Sequence, residues 1–253
     1  SFHCGLKKGG KKVLLVDDHG SLDCYSADLI LNQNIYANAN IYTSKLSAGS
    51  LLMGCEFSCL REEFQKWIGW SRPKISTATR IMITLGGVDP GNMTLKVMRA
   101  LKRLNRPGLQ VMVIAGAGNP HLQSLKKFME NSPLSIEVLT NVQDMPGLIS
   151  VSDLAISAGG STCWELAFLG LPSLVIVMAD NQAQVASRLA ELGIAKNLGW
   201  HKSVSEIDIA NAALALIENA TERQKMSDLG QGFVDGKGTD RVIERMRACE
   251  HTT

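Results

Sequence analysis

Residues 157–172 read SAGGSTCWELAFLGLP, and the run DLAIS that enters them is almost wholly apolar. The pattern predicts a buried strand, a tight turn of two glycines and two hydroxyls, and then a helix. A bare backbone at Gly159-Gly160 lets a ligand approach the main chain, and the helix that follows aims its first N–H groups at that place. Glu165 sits one turn inside the helix. Two readings stay open for it. Thr162-x-x-Glu165 fits a capping box, in which the carboxylate bonds back to the helix start. Alternatively, the carboxylate grips the diol of a ribose, as acids do in dinucleotide-binding folds.

Working outward, the same strand–turn–helix unit recurs. RIMITLGG is a strand ending at Gly86-Gly87, followed by the helix NMTLKVMRALKRL with Val97, Met98, Leu101 and Leu104 as its apolar stripe. QVMVIAGAG is a strand with Gly116 at its exit, and HLQSLKKFME is its helix. SIEVLT leads to Asn141-Val142, then the short helix MPGLISVS. PSLVIVMAD leads to Asn181-Gln182, then the helix NQAQVASRLAEL, stopped by Gly193. IAKNLGW is a last strand. Two helices follow, roughly 205–219 and 221–247, the second interrupted at GKG. Toward the beginning, KKVLLVDD, ADLILNQN and SLLMGCEFSCL read as strands and REEFQKWIGW as a helix. WSRPKISTATR, with Pro73, reads as a linker.

This alternation predicts an α/β fold, a parallel Rossmann-type sheet with helices on both faces. The linker divides the chain into a first lobe, 1–72, and a second, 73–253. In such sheets ligands sit beyond the carboxyl ends of the strands. The candidate binding residues are therefore at the exits: Gly86, Gly87 and Asp89; Gly116; Val142 and Met145; Ser157, Gly159, Gly160, Ser161, Thr162 and Glu165; Asn181 and Gln182. Asp180 is a natural helix N-cap. Asp17 and Asp18 end the first strand; they could be general-base material, but a solvated acid is the reading a strand exit favours. The five histidines are scattered and none lies in a motif that marks a base. No G-x-G-x-x-G occurs, so the dehydrogenase fingerprint is excluded.

Composition narrows the function classes. With 26 Lys+Arg against 24 Asp+Glu, net charge +2, the chain lacks the basic excess of a nucleic-acid binder. The longest apolar run, in LPSLVIVMA, is about eight residues, too short for a membrane span. The beginning, SFHCGLKKGGKK, has no signal-peptide core. Six cysteines without a CxxC pair suggest free thiols in a reducing cytoplasm, and Cys55 with Cys59 lacks the further ligands a metal needs. No metal or cofactor is expected.

Residues 140–182, TNVQDMPGLISVSDLAISAGGSTCWELAFLGLPSLVIVMADNQ, resemble the donor-binding signature of GT-B proteins of the MurG type. VLLVDDHGSLDCYSADLILNQNIYA, LMGCEFSCLREEF and IMITLGGVDPGNMTLKVMRAL resemble the PseG-like branch, hydrolases of a UDP-linked diacetamido-trideoxy sugar in pseudaminic acid synthesis, with look-alikes in spore-coat polysaccharide clusters. The resemblance implies a GT-B-like architecture, a complete C-terminal lobe with a partial N-terminal lobe, and UDP or a UDP-sugar as ligand. It implies that Gly86 and Gly87 border the diphosphate. Val142 would offer its backbone to uracil, with Met145 nearby. Residues 157–162 would line phosphate and ribose, Glu165 would hold the ribose, and Asn181 and Gln182 would meet the sugar. Asn32 and Asn34 would lie across the cleft.

The family's first lobe opens with a strand and a G-x-G-H loop whose histidine is taken as the general base. That pattern is not in this sequence, and neither His3 nor His19 matches it. The resemblance thus implies a chain beginning near the middle of that lobe, with no assignable catalytic residue. An open sheet edge there would favour self-association. Hydrolase, MurG-like transferase and non-catalytic UDP-sugar-binding module are the functions it leaves.

Overall fold

The computed structural model describes residues 2–46 and 49–250. They pack as two units, Ser1–Gln65 with Val234–Thr253, and Lys66–Phe233.

The larger unit carries six strands: β4 (Arg80–Thr84), β5 (Gln110–Ile114), β6 (Ser135–Leu139), β7 (Leu154–Ala158), β8 (Ser173–Val177) and β9 (Ala195–Trp200). The smaller unit holds β1 (Leu14–Val16), β2 (Leu29–Asn32) and β3 (Ser50–Met53). The six-stranded sheet has the order β6-β5-β4-β7-β8-β9, and every pairing in it is parallel. That is the doubly wound arrangement of two βαβαβ halves, with its switch point between β4 and β7. Parallel strands need crossover connections, and the helices supply them. Between the strands of this unit run α3 (Met93–Arg103), α4 (Leu122–Glu130), α5 (Met145–Val151), α6 (Thr162–Phe168) and α7 (Ala183–Glu191). After β9 come α8 (Glu206–Glu218) and α9 (Ala220–Phe233).

Burial explains why the central strands read as continuous apolar runs. All five residues of β7 and all five of β8 are buried. A strand covered on both faces has no polar side to display. At the edge, β6 is only partly covered. On α3 the sequence stripe turns inward, with Val97, Met98 and Leu101 at 0% exposure and Leu104 packed at the margin. Each such side chain contributes roughly 1.5–3 kcal/mol on leaving water. Ser205 and Asp208 start α8 with a reciprocal capping box.

Two arginines tie the amino-end face of this unit together. The Arg72 guanidinium donates to the carbonyls of Ile149 (2.9 Å), Ser152 (2.7 Å) and Leu169 (2.8 Å), bridging the last turns of α5 and α6. Burial pulls its pKa down to about 10. Arg223, on α9, reaches the carbonyls of Leu216 and Ile217 at the end of α8, and those of Ile75 and Ser76.

In the smaller unit the order is β1-β2-β3, again parallel. Alternate residues of β2 serve opposite faces. Ile30 packs with Val13, Tyr25, Ala27 and Tyr42, beside α1 (Phe2–Lys8) and α2 (Asn40–Thr43). Leu29 and Leu31 pack with Leu52, Phe57 and Val242, the last from α10 (Gly238–Glu250).

Two expectations need correction, and one helix went unread. The division does not fall once, at 72/73. Residues 234–253 return to the smaller unit, where α10 buries Val242 against β2 and Arg241 donates to the Glu56 carbonyl at 2.8 Å. REEFQKWIGW is not an α-helix but a 3-10 helix over Glu62–Trp67. Phe64 is its one buried residue, which leaves no apolar stripe to hold longer turns. Residues 2–8 form a helix that the lysines of SFHCGLKKGGKK concealed. Lys7 pairs with Asp28 at 2.7 Å, and Asp28 also accepts the Val13 N–H at 2.7 Å.

Candidate functional site

Because all six strands run the same way, their carboxyl ends share one edge of the larger unit. Thr84 of β4 lies opposite Ser157 of β7 in the pairing register. Two residues further along each strand stand Gly86 and Gly159. The two glycine pairs therefore face each other at the switch point, where such sheets bind ligands. Gly86 has φ +90°, a backbone state that favours glycine. No atom lies within 4 Å of the position a Gly87 Cβ would take, so that face of the chain borders open space.

The tip of α6 adjoins this point. Ser161 is its N-cap and makes no side-chain cap. With Ser161 as the N-cap, Glu165 falls one place beyond the third helical residue that a capping box uses, in contrast to Asp208 on α8. The amides of Cys163 and Trp164 are satisfied by a tight turn onto the carbonyls of Gly160 and Ser161, both 3.0 Å. Ser161 is exposed, Thr162 and Glu165 are half-buried, and Ser157 and Trp164 are buried beneath them. The α6 end of the helix dipole thus faces the crevice with its hydroxyls uncommitted to capping.

Three residues grouped with the ligand have structural partners instead. Asp89 is buried, at φ +44°, and its two carboxylate oxygens accept the N–H groups of Met93 and Thr94, both at 2.8 Å. It is the anion that the tip of α3 holds, so α3 does not offer those amides to a phosphate. Gly116 is a glycine for packing: a Cβ there would stand 2.1 Å from the Gly87 carbonyl oxygen. Gln182 accepts the Met178 N–H at 2.9 Å and lies over Gly159, where an added Cβ would come within 3.1 Å of it. Asn181 and Asp180 are exposed, and Asp180 caps no helix.

At the far side of the same edge, Asn141 takes φ +53°, Val142 is half-buried, and Met145 is buried as the first residue of α5. Asp144 starts that helix by accepting the Gly147 N–H. With a strand spacing of about 4.8 Å, the exits of β6 and β7 are separated by roughly 14 Å, the reach of an extended nucleoside diphosphate. Sequence reading missed Asn119, in the β5 exit loop. It is 5% exposed, its Oδ1 accepts the His121 N–H at 2.8 Å, and its Nδ2 is buried without a partner among the described residues. The signal was a lone amide after a glycine turn, GAGN.

Asn34 belongs to the smaller unit. Its backbone and side-chain N–H groups both bond the Oδ1 of Asn32, at 3.0 and 3.1 Å. Asn32 is fully buried and donates to the Tyr42 hydroxyl (3.0 Å), which donates to the Asp17 carbonyl (2.8 Å). The Asp17 carboxylate accepts from Tyr25 Oη and from the amides of His19 and Gly20. Asp17 is thus a half-buried structural acceptor rather than a solvated acid.

Burial, with Asp17 beside it, pushes the Tyr25 hydroxyl up to about 12 from 10.0. The unfolded chain ionises first, so this unit is expected to lose stability as pH rises through that interval. Unfolding free energies measured from pH 9 upward should fall, and Tyr25→Phe should flatten the fall while lowering stability at neutral pH.

Residues 81–239 match the model of the glycosyltransferase family 28 C-terminal domain. The chain belongs to that family. Over 165 residues this family 28 chain is 29% identical to the spore coat polysaccharide biosynthesis protein SpsG of Bacillus subtilis, covering 64% of this chain and 48% of that one. It is 36% identical over 146 residues to the UDP-N-acetylglucosamine--N-acetylmuramyl-(pentapeptide) pyrophosphoryl-undecaprenol N-acetylglucosamine transferase of an Exiguobacterium species, covering 55% of this chain and 39% of that one. The chain spans about half, or less, of the length of these curated relatives. Among solved structures, Acinetobacter baumannii MurG superimposes with a TM-score of 0.68 at 17% identity, covering 97% of this chain and 69% of that one. The UDP complex of S. aureus MnaA gives 0.66 at 14%, covering 99% and 73%. These likenesses establish a GT-B fold. No helix among the described residues is long and apolar enough to cross a membrane.

Proposed function

We propose that this chain binds a UDP-sugar and takes part in glycosyl transfer during surface-polysaccharide synthesis. The observation that carries the reading is the meeting of Gly86-Gly87, Gly159-Gly160 and the uncapped tip of α6 at the switch point. A diphosphate there would be held by main-chain N–H groups, hydroxyls and a helix dipole. The relatives named for polysaccharide synthesis and for a UDP-sugar transferase support the same reading. In the reaction a nucleophile attacks the anomeric carbon, the bond from that carbon to the diphosphate oxygen breaks, and UDP leaves with the pair of electrons. The cradle's part is to stabilise the charge gathering on the departing diphosphate.

A second reading has water as the nucleophile, making the protein a hydrolase of a UDP-linked diacetamido sugar. The LNQN and REEF stretches, which resemble the hydrolase branch, support it. No general base is assigned in either reading. Incubation with UDP-N-acetylglucosamine and with a UDP-diacetamido sugar, without acceptor, separates the two. UDP release from the diacetamido sugar alone favours hydrolysis; release only after a glycan acceptor is added favours transfer. If calorimetry registers no UDP binding at all, both fail.

On this reading Glu165 holds the ribose, and Glu165→Ala is expected to weaken UDP binding about 10- to 100-fold, the worth of charge-assisted hydrogen bonds. The loss of affinity should exceed what any drop in melting temperature explains. A lowered melting point with unchanged UDP affinity would return Glu165 to a purely structural role.

A further inference from the structure

The loop after β4, residues 86–92, turns three times into the left-handed region: Gly86 has φ +90°, Asp89 +44° and Asn92 +49°. Only the first of these is a glycine. Side chains rarely rest in that region, and such a backbone persists where its surroundings hold it. One hold lies inside the loop, where the Asp89 carboxylate binds the first amides of α3. The other comes from the loop after β5. His121 Nε2 lies 3.1 Å from the Pro90 carbonyl oxygen. A carbonyl can only accept, so Nε2 carries the proton and donates. Asn92 Nδ2 donates to Ser124 Oγ at 3.3 Å, and that hydroxyl donates to the His121 carbonyl at 2.8 Å.

His121 is itself held. Its main-chain N–H donates to the Oδ1 of Asn119 at 2.8 Å, and the Asn119 N–H donates to the Gly116 carbonyl at 3.0 Å. Gly116 in turn lies against Gly87, where an added Cβ would stand 2.1 Å from the Gly87 carbonyl oxygen. The contacts close a circuit from Gly87 through Gly116, Asn119 and His121 to Pro90, and back along the chain. Two polar atoms in this seam, Asn92 Oδ1 and Asn119 Nδ2, are buried without a partner among the described residues. Such atoms cost stability, and the bond each amide does make belongs to this circuit. Departures of this kind gather at functional sites. We infer that His121 is a positioning residue: through the Pro90 carbonyl it fixes the main chain of Gly86-Gly87 in the shape that a diphosphate meets. The inference rests on the reading of that crevice as a UDP-sugar site. Its mechanism needs no contact between His121 and the ligand. A loop ordered beforehand binds without losing freedom at the moment of binding.

UDP is the probe, titrated into the full chain by calorimetry, with hydrogen exchange followed at the amides of Asn92, Met93 and Thr94, which all bond Asp89. His121→Phe keeps a ring and loses the donor. His121→Gln restores a donor, on an amide nitrogen about as far from the backbone as Nε2. His121→Phe should weaken UDP binding at least about fivefold, the worth of one hydrogen bond. Exchange at the three amides should quicken, and exchange in β7 and β8 should not. His121→Gln should recover most of the affinity and the slow exchange. Unaltered affinity in His121→Phe, equal loss in both variants, or a loss with exchange unchanged overturns the inference and leaves the crevice reading standing. Absence of UDP binding by the parent overturns both. Should His121→Phe not fold, Ser124→Ala decides, because it deletes the hydroxyl between Asn92 and His121. It should weaken UDP binding at least about twofold, the lower end for one hydrogen bond, with the same quickened exchange. Unaltered affinity in that variant overturns the inference equally.

Discussion

Gly87→Val is expected to abolish UDP binding while the protein stays folded. The two halves of that expectation rest on one geometric observation: a Cβ on residue 87 meets nothing within 4 Å. The Cβ of a valine there therefore meets no other part of the protein, and its methyls extend into open space. Nor does residue 87 have the positive φ that would strain a side chain, whereas its neighbour Gly86 does, at +90°. The isopropyl group would instead fill the space in front of the β4 exit, where the paired glycines leave room for a diphosphate. A branched side chain both excludes phosphate oxygens and shields the loop's amides. The loss should be at least about 100-fold in dissociation constant, or about 2.7 kcal/mol. Calorimetry with UDP and a thermal melt together make the check. Unaltered affinity with an unaltered melt would place the diphosphate elsewhere.

Gly116→Ala supplies the contrast. The added carbon would stand 2.1 Å from the Gly87 carbonyl, a backbone atom with no rotamer to escape into. That variant should lose UDP binding together with thermal stability, through displacement of the β4 exit loop. The sequence presented the two glycines as equivalent strand-exit residues, and only the packing distinguishes one that borders open space from one that borders its neighbour.

This difference shows what was legible in the sequence and what was not. β7 and β8 were plain, because a strand buried on both faces must be apolar throughout. The α3 stripe was plain for the corresponding reason of helical periodicity. From these and the glycine exits the parallel sheet and its glycine-lined edge followed. Choices between partners were not legible. Asp89 could face solvent, ligand or helix, and it faces the helix because its positive φ swings the carboxylate under the amides of Met93 and Thr94. The Thr162–Glu165 spacing suited a capping box, yet the helix begins with Ser161 as its N-cap and no side-chain cap forms there. The return of α10 to the smaller unit depends on contacts between residues far apart in sequence. Gly238 is one: a Cβ on it would come within 2.2 Å of the Ser58 carbonyl oxygen. Local periodicity carries no trace of such a meeting.

The largest loss of stability is expected from Arg223→Ala. Its guanidinium donates to four carbonyls, those of Leu216 at 2.5 Å, Ile217 at 2.7 Å, Ile75 at 3.0 Å and Ser76 at 3.1 Å. The first pair ends α8, where the helix leaves carbonyls without intrahelical donors. The second pair belongs to the segment leading into β4. One cation thus closes a helix end and fixes that segment against it. Removing it strips four acceptors of a donor in a place only 3% exposed, Ile217 keeping only the Ala78 N–H at 3.3 Å. Each unsatisfied buried group costs about 1–3 kcal/mol, and partial rescue by entering water brings the sum to about 3–5 kcal/mol. Burial pulls the guanidinium pKa down, but an arginine stays protonated across the neutral range, so the loss should not vary between pH 6 and about 8. Arg223→Lys should recover only part of it, because an ammonium has three donors against five and no planar fork. Chemical denaturation of the three proteins tests this. A deficit below about 1 kcal/mol for Arg223→Ala would mean that water reaches those carbonyls freely, and that the cation does not hold α8 to the start of the sheet.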